Sequence, residues 1–135
     1  MERILKYLLN SIFVISLLTG MNVLINGTAA IPGLTTPIGP MVDNELRCVA
    51  IFWLAFGVFC FWVSRNIIDR YSFIPAIAFV LFLSGIARLL SIVLVGMPGN
   101  QLLGAMGVEV IFSVAIYLSY QRWHVVKPKS LNSIH

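Results

Sequence analysis

Charge is scarce in this chain: only 10% of its 135 residues are Asp, Glu, Lys or Arg, against 59% hydrophobic. Such a composition leaves too little polar surface to cover a soluble domain of this size, and lipid is the solvent it fits. Cysteine and histidine are equally sparse, with two of each. Cys48 and Cys60 fall on one predicted helix, roughly 18 Å apart along its axis, which is too far for a disulfide. His124 and His135 lie in or near the polar C-terminal tail, and no Cys or His spacing resembles a metal site, so neither a metal nor a cofactor is expected. Basic residues outnumber acidic ones, nine to five. They are scattered at the ends of apolar runs rather than gathered with aromatics into a patch, and this argues against a nucleic-acid partner.

What the chain does have is long apolar runs. Four stretches, at about residues 4–25, 43–65, 71–95 and 101–122, are each long enough to cross the hydrocarbon core as a helix, for which about 20 residues suffice. The expected fold is therefore all-α, a four-transmembrane-helix bundle, and the length leaves no room for a second domain beside residues 1–135. The breaks are sharp. Asn26-Gly27 ends the first run, Pro40 precedes the second, Ser64-Arg65-Asn66 closes it, and Gly96-Met97-Pro98-Gly99 separates the third from the fourth. Arg3 and Lys6 ahead of an apolar run, with Thr28-Ala29-Ala30 beyond it, imitate a signal peptide. The run is too long for a signal-peptide core, and it reads as a span.

Lys and Arg settle the expected orientation. Arg3, Lys6, Arg65, Arg70, Arg122, Lys127 and Lys129 fall at one end of the spans, whereas segments 26–42 and 96–100 carry none. Both termini are thus expected in the cytoplasm, N-in and C-in, with Tyr7, Trp62, Tyr71, Tyr120 and Trp123 forming an interfacial belt at the same end. The outer connection 26–42 holds three Gly and three Pro and is apolar. It is either a lid over the bundle or a spacer in the headgroup layer. Asn26-Gly27-Thr28 matches a glycosylation sequon, a pattern short enough to arise by chance.

The charges that need explaining lie inside the spans. Arg88 and Glu109 both fall roughly 12–14 Å below the outer surface, counted from their span ends. Isolated charges at that depth cost several kcal/mol, so each is expected to face inward and find a partner, most simply the other. Ser84, Ala87, Arg88 and Ser91 share one helix face, as do Ala105, Glu109, Phe112 and Ile116 on the fourth span, and Ser11, Ile15, Asn22 and Asn26 on the first. The second span opens with Asp43-Asn44-Glu45-Leu46-Arg47. Asp43 and Arg47 are placed for an i,i+4 pair, Asp43 can cap the helix start, Arg47 can reach the headgroups, and Glu45 can turn toward Arg88. Asn22, Glu45, Arg47, Arg88, Ser91 and Glu109 together form either a structural staple or a ligand or proton site.

Gly20-Met21-Asn22, the Asp43-to-Arg47 block, Gly85-Ile86-Ala87-Arg88-Leu89-Leu90-Ser91 and the lone Glu109 resemble, in order and spacing, a bacterial family known as domain of unknown function 4345. The resemblance implies a small four-helix protein of unassigned activity in the bacterial inner (cytoplasmic) membrane, and it falls on Asn22, Glu45, Arg47, Arg88 and Glu109. Three functions stay open on the residues. One is a binding or accessory protein taking a membrane lipid or a small lipophilic molecule into an outer-half polar pocket. The second is a proton-coupled exporter using Glu109, and the third is a membrane enzyme, for which no nucleophile and base pair is visible. Gly104 and Gly107, opposite Glu109, would let another helix approach, within the bundle or from a homo-oligomer or larger membrane complex.

Overall fold

The computed structural model describes residues 2–31, 33–34 and 38–126, except for the side chains of residues 124–126. Among the described residues every regular element is helical: α1 (Glu2–Asn26), a 3-10 turn (Gly27–Ala30), α2 (Pro40–Arg65), the single turn α3 (Ile67–Arg70), a second 3-10 turn (Tyr71–Phe73), α4 (Ile74–Val95) and α5 (Asn100–Val126). Four helical segments are long and apolar enough to cross a membrane.

Three boundaries differ from the sequence expectation, each for a local reason. The second long helix starts at Pro40 rather than 43, because a proline in the first turn gives up an N–H that would have no helical partner anyway. The third starts at Ile74, again with a proline in its first turn, after α3 and the 3-10 turn have reversed the chain. It ends where Gly96 turns to φ 119°, a conformation that excludes ordinary side chains. The fourth continues through Val126 instead of stopping near 122. The connection between α1 and α2 thus narrows to residues 27–39. Whether it is a lid rests partly on residues 32 and 35–37, which lie outside the described residues, as do Lys127, Lys129 and His135.

The helices form two antiparallel hairpins, α1 with α2 and α4 with α5, and α1 also touches α5. In the first, contacts step up one helix as they step down the other, from Asn10–Ser64 through Phe13–Phe61, Ser16–Gly57 and Gly20–Leu54 to Thr28–Asp43. Lipid tails give helices no hydrophobic reason to associate, so close van der Waals approach must hold them. Glycine supplies it. A Cβ on Gly57 would meet Ser16 Cβ at 2.5 Å, one on Gly20 would meet Leu54 Cγ at 2.7 Å, and one on Gly85 would meet Val110 Cγ2 at 2.8 Å. Gly104 and Gly107, by contrast, have nothing within 4 Å of such a Cβ, so they do not seat a helix of the same chain.

The hairpins share one apolar core. It joins Leu5, Leu9 and Ile12 of α1, Cys60 and Val63 of α2, Ile67, the first half of α4 (Ile74, Ile77, Ala78, Leu81) and Ile116 of α5. All of these lie toward the end that carries Arg3, Lys6, Arg65, Arg70 and Arg122. Tyr120 and Trp123 pack against this core rather than serving only as interfacial anchors, whereas Tyr7, Trp62 and Tyr71 are exposed. In the opposite half the buried positions, Gly20, Gly27, Ala50, Gly85 and Glu109, each sit at contacts inside one hairpin.

Candidate functional site

Helix α4 presents Ile74, Ile77, Ala78, Leu81 and Gly85 as its buried stripe, and half-buried Ser84 and Arg88 flank the far end of that stripe. Helix α5 answers with Glu109, Ser113, Ile116 and Ser119. The antiparallel pairing brings Arg88 level with Glu109, and Gly85 lets the backbones approach closely enough for the side chains to meet. Arg88 Nε donates to Glu109 Oε2 at 2.9 Å and Arg88 Nη2 donates to Oε1 at 2.9 Å, a two-pronged fork. Ser84 Oγ donates to Oε2 at 3.0 Å. Further along the seam, Ser113 Oγ donates to the Ala78 carbonyl. The fork is lopsided: the Glu109 side chain is 8% exposed, the Arg88 side chain 37%.

That geometry limits the chemistry of Glu109. Both carboxylate oxygens are occupied, by charge-assisted hydrogen bonds from Arg88 and a hydroxyl bond from Ser84. Arg88 keeps more freedom, because a guanidinium carries more N–H donors than the two in the fork.

A second polar cluster ties the C-terminal end of α1 to the N-terminal end of α2. Arg47 Nε pairs with Asp43 Oδ2 at 2.8 Å, as the i,i+4 spacing suggests. Their other partners differ from expectation. Asp43 lies inside α2, whose N-cap is Gly39, and does not cap that helix. Its Oδ1 instead accepts the backbone N–H of Thr28, at 2.8 Å. Arg47 does not reach for headgroups but donates from Nη1 to the carbonyls of Leu24 at 2.5 Å and Ile25 at 3.3 Å, closing the C-terminus of α1, where carbonyls lack helical partners. Gly27, at φ 55°, lies so close to Asp43 and Arg47 that no side chain fits.

Several expected members of the cluster stay apart. Glu45 is exposed at the start of α2 and does not meet Arg88, because α2 packs along α1 while Arg88 belongs to the other hairpin. Asn22 is exposed and accepts its hydrogen bond from Asn26 Nδ2, at 2.7 Å, one turn along the same helix. Ser91 and Ala87 are exposed, since the buried stripe of α4 ends at Gly85, flanked by half-buried Ser84 and Arg88 instead. The face of α1 that carries Ser11, Ile15, Asn22 and Asn26 is likewise exposed, and α1 buries Leu5, Leu9, Ile12, Ser16 and Gly20. The clamp at Gly27 escaped the sequence reading. Its signal was a glycine directly after the first apolar run, facing a charged pair at the start of the next. Cys48 is exposed, Cys60 is buried, and neither is bonded. No His, Cys, Asp or Glu cluster able to hold a metal occurs among the described residues.

Residues 4–120 match a protein family described as a domain of unknown function (DUF4345). No curated protein and no solved structure matches the chain.

Proposed function

The chain belongs to the DUF4345 family, and from its four apolar helices we propose that it is a multi-pass protein of the bacterial inner membrane, both termini cytoplasmic, that binds the polar end of a lipid or small lipophilic molecule beside Arg88. The observation that carries this reading is the lopsided fork. The carboxylate is sealed while the guanidinium is more than a third exposed, so the pair leaves N–H donors of Arg88 free for a further partner. It is exposed in the half of the molecule that the shared apolar core does not reach. A guanidinium there offers paired hydrogen bonds to a carbonyl or anionic oxygen of an amphiphile. Because Arg88 is already neutralised by Glu109, the ligand need not carry a full negative charge. Membrane orientation follows from the basic residues gathered at the other end.

Native mass spectrometry after mild extraction tests this. The wild-type chain is expected to retain one lipid or lipophilic molecule, and the Arg88→Gln/Glu109→Gln double variant, which leaves no unpaired charge, to lose it. Retention by the double variant equal to wild type, or no retention by either, overturns the reading. Proton-coupled export and membrane enzyme activity are less well supported. Export driven through Glu109 would require that side chain to leave Arg88 and Ser84, which hold both of its oxygens.

A further inference from the structure

The carboxylates at the basic end are few and already engaged: Glu2 pairs with Lys6 at 2.8 Å, and Asp69 accepts from Asn66 Nδ2 at 2.6 Å. Arg65 and Arg70 therefore have no carboxylate partner among the described residues, although both sit at the corner where α2 passes into α3. Each is instead laid on an aromatic ring. The Arg65 guanidinium lies 5.8 Å from the centroid of Phe61, and that of Arg70 lies 3.8 Å from the centroid of Trp62 while donating to the Trp62 carbonyl. Ring contact restrains a guanidinium and leaves its N–H edge able to donate. Two neighbouring residues thus hold two cations at one helix end.

Below them the surface is apolar. Ile51, Val58, Trp62 and Arg65 recur at helical spacing along one face of α2, all exposed, on the opposite side from Gly57 and Cys60. The stripe runs from the two guanidiniums toward the other end of the helix, the direction in which acyl chains descend from a headgroup.

We propose that the Arg65–Arg70 corner is a binding site for an anionic phospholipid, the guanidiniums taking the phosphodiester and the α2 stripe taking the acyl chains. Among the described residues the corner holds two guanidiniums against one carboxylate, Asp69, and this net positive charge disfavours the ammonium of a zwitterionic headgroup, so the site selects lipids that lack one. A soluble phosphate would leave the apolar stripe unused. The site is separate from Arg88 and stands whether or not a ligand binds there.

The test is native mass spectrometry of the full chain in detergent supplied with equal phosphatidylglycerol and phosphatidylcholine. Wild type is expected to retain phosphatidylglycerol preferentially. Arg65→Gln should lower that preference roughly fivefold, in line with one basic residue at a membrane surface, and Arg65→Lys should keep most of it. Arg65 is the informative position, because Arg70 also closes the end of α2 and its loss could disturb the fold. Equal retention of the two lipids by wild type, or an unchanged preference in Arg65→Gln, overturns the proposal. So does displacement of phosphatidylglycerol by millimolar inorganic phosphate, which would mark a site for a bare anion.

Discussion

Ser16 is fully buried against Gly57, and its Oγ has no hydrogen-bond partner. An unsatisfied buried hydroxyl contributes nothing to set against its desolvation, whereas the contact it makes with Gly57 is tight. Ser16→Ala is therefore expected to leave thermal unfolding in detergent unchanged or slightly raised. Gly57→Ala should cost about 1–3 kcal/mol by overpacking the same contact. The Arg88–Glu109 fork behaves differently, because both partners are charged. Arg88→Met strands a buried carboxylate and should cost about 3–5 kcal/mol, while Arg88→Met/Glu109→Met should recover much of that loss. A double-mutant cycle on unfolding midpoints measures the difference, and equal destabilisation by the single and double variants would contradict it. Arg88 and Glu109 were recognisable from the sequence, because charge at that depth in an apolar run has few explanations. Ser84 as a third arm was less so, since many serines line such helices.

At the level of elements, the α1–α2 hairpin is locked where the two helices are connected by Gly27, Asp43 and Arg47, which join late carbonyls of α1 and the Thr28 N–H to one turn of α2. Gly27→Ala violates both the positive φ and the space available. Asp43→Asn keeps a hydrogen-bond acceptor for Thr28 and removes the charge that holds Arg47. Amide hydrogen exchange should quicken over residues 24–30 in both variants, more so in Gly27→Ala, with α4 and α5 unaffected. Exchange spreading equally into α5 would show that the clamp supports the whole bundle instead. The Asp43–Arg47 pair was legible as an i,i+4 spacing. Its role was not, because the atoms it serves lie on another helix, well over a dozen residues earlier in the chain.

Across the whole molecule, the two hairpins are joined by one apolar core at the basic end, while the opposite half holds its buried groups within each hairpin. This division leaves the accessible guanidinium of Arg88 in one half and the cations of Arg65 and Arg70 at the opposite end. The proposed orientation, with both termini cytoplasmic, predicts that a periplasm-active phosphatase fused to the C-terminus is silent and a cytoplasm-active fluorescent protein bright. The reverse pattern would invert every statement about inside and outside. Such a result would leave the helix pairing intact, because pairing depends on contacts and not on which way the bundle faces.

The sequence by itself determined the four apolar helices, the gathering of cations at one end and the matched depth of Arg88 and Glu109. Hydropathy, charge and depth are properties read along a single helix axis, and each needs only the rise per residue. Tertiary structure decided the lateral questions: that Glu109 and not Glu45 meets Arg88, that Asn22 and Ser91 stand clear of the fork, and that Asp43 and Arg47 close the end of a different helix. Those outcomes depend on which helices pair and how each is rotated about its axis. Small contacts such as Gly57 on Ser16 and Gly85 on Val110 set that rotation, and glycines at other positions in the same apolar runs, such as Gly104 and Gly107, look no different until the helices are brought together.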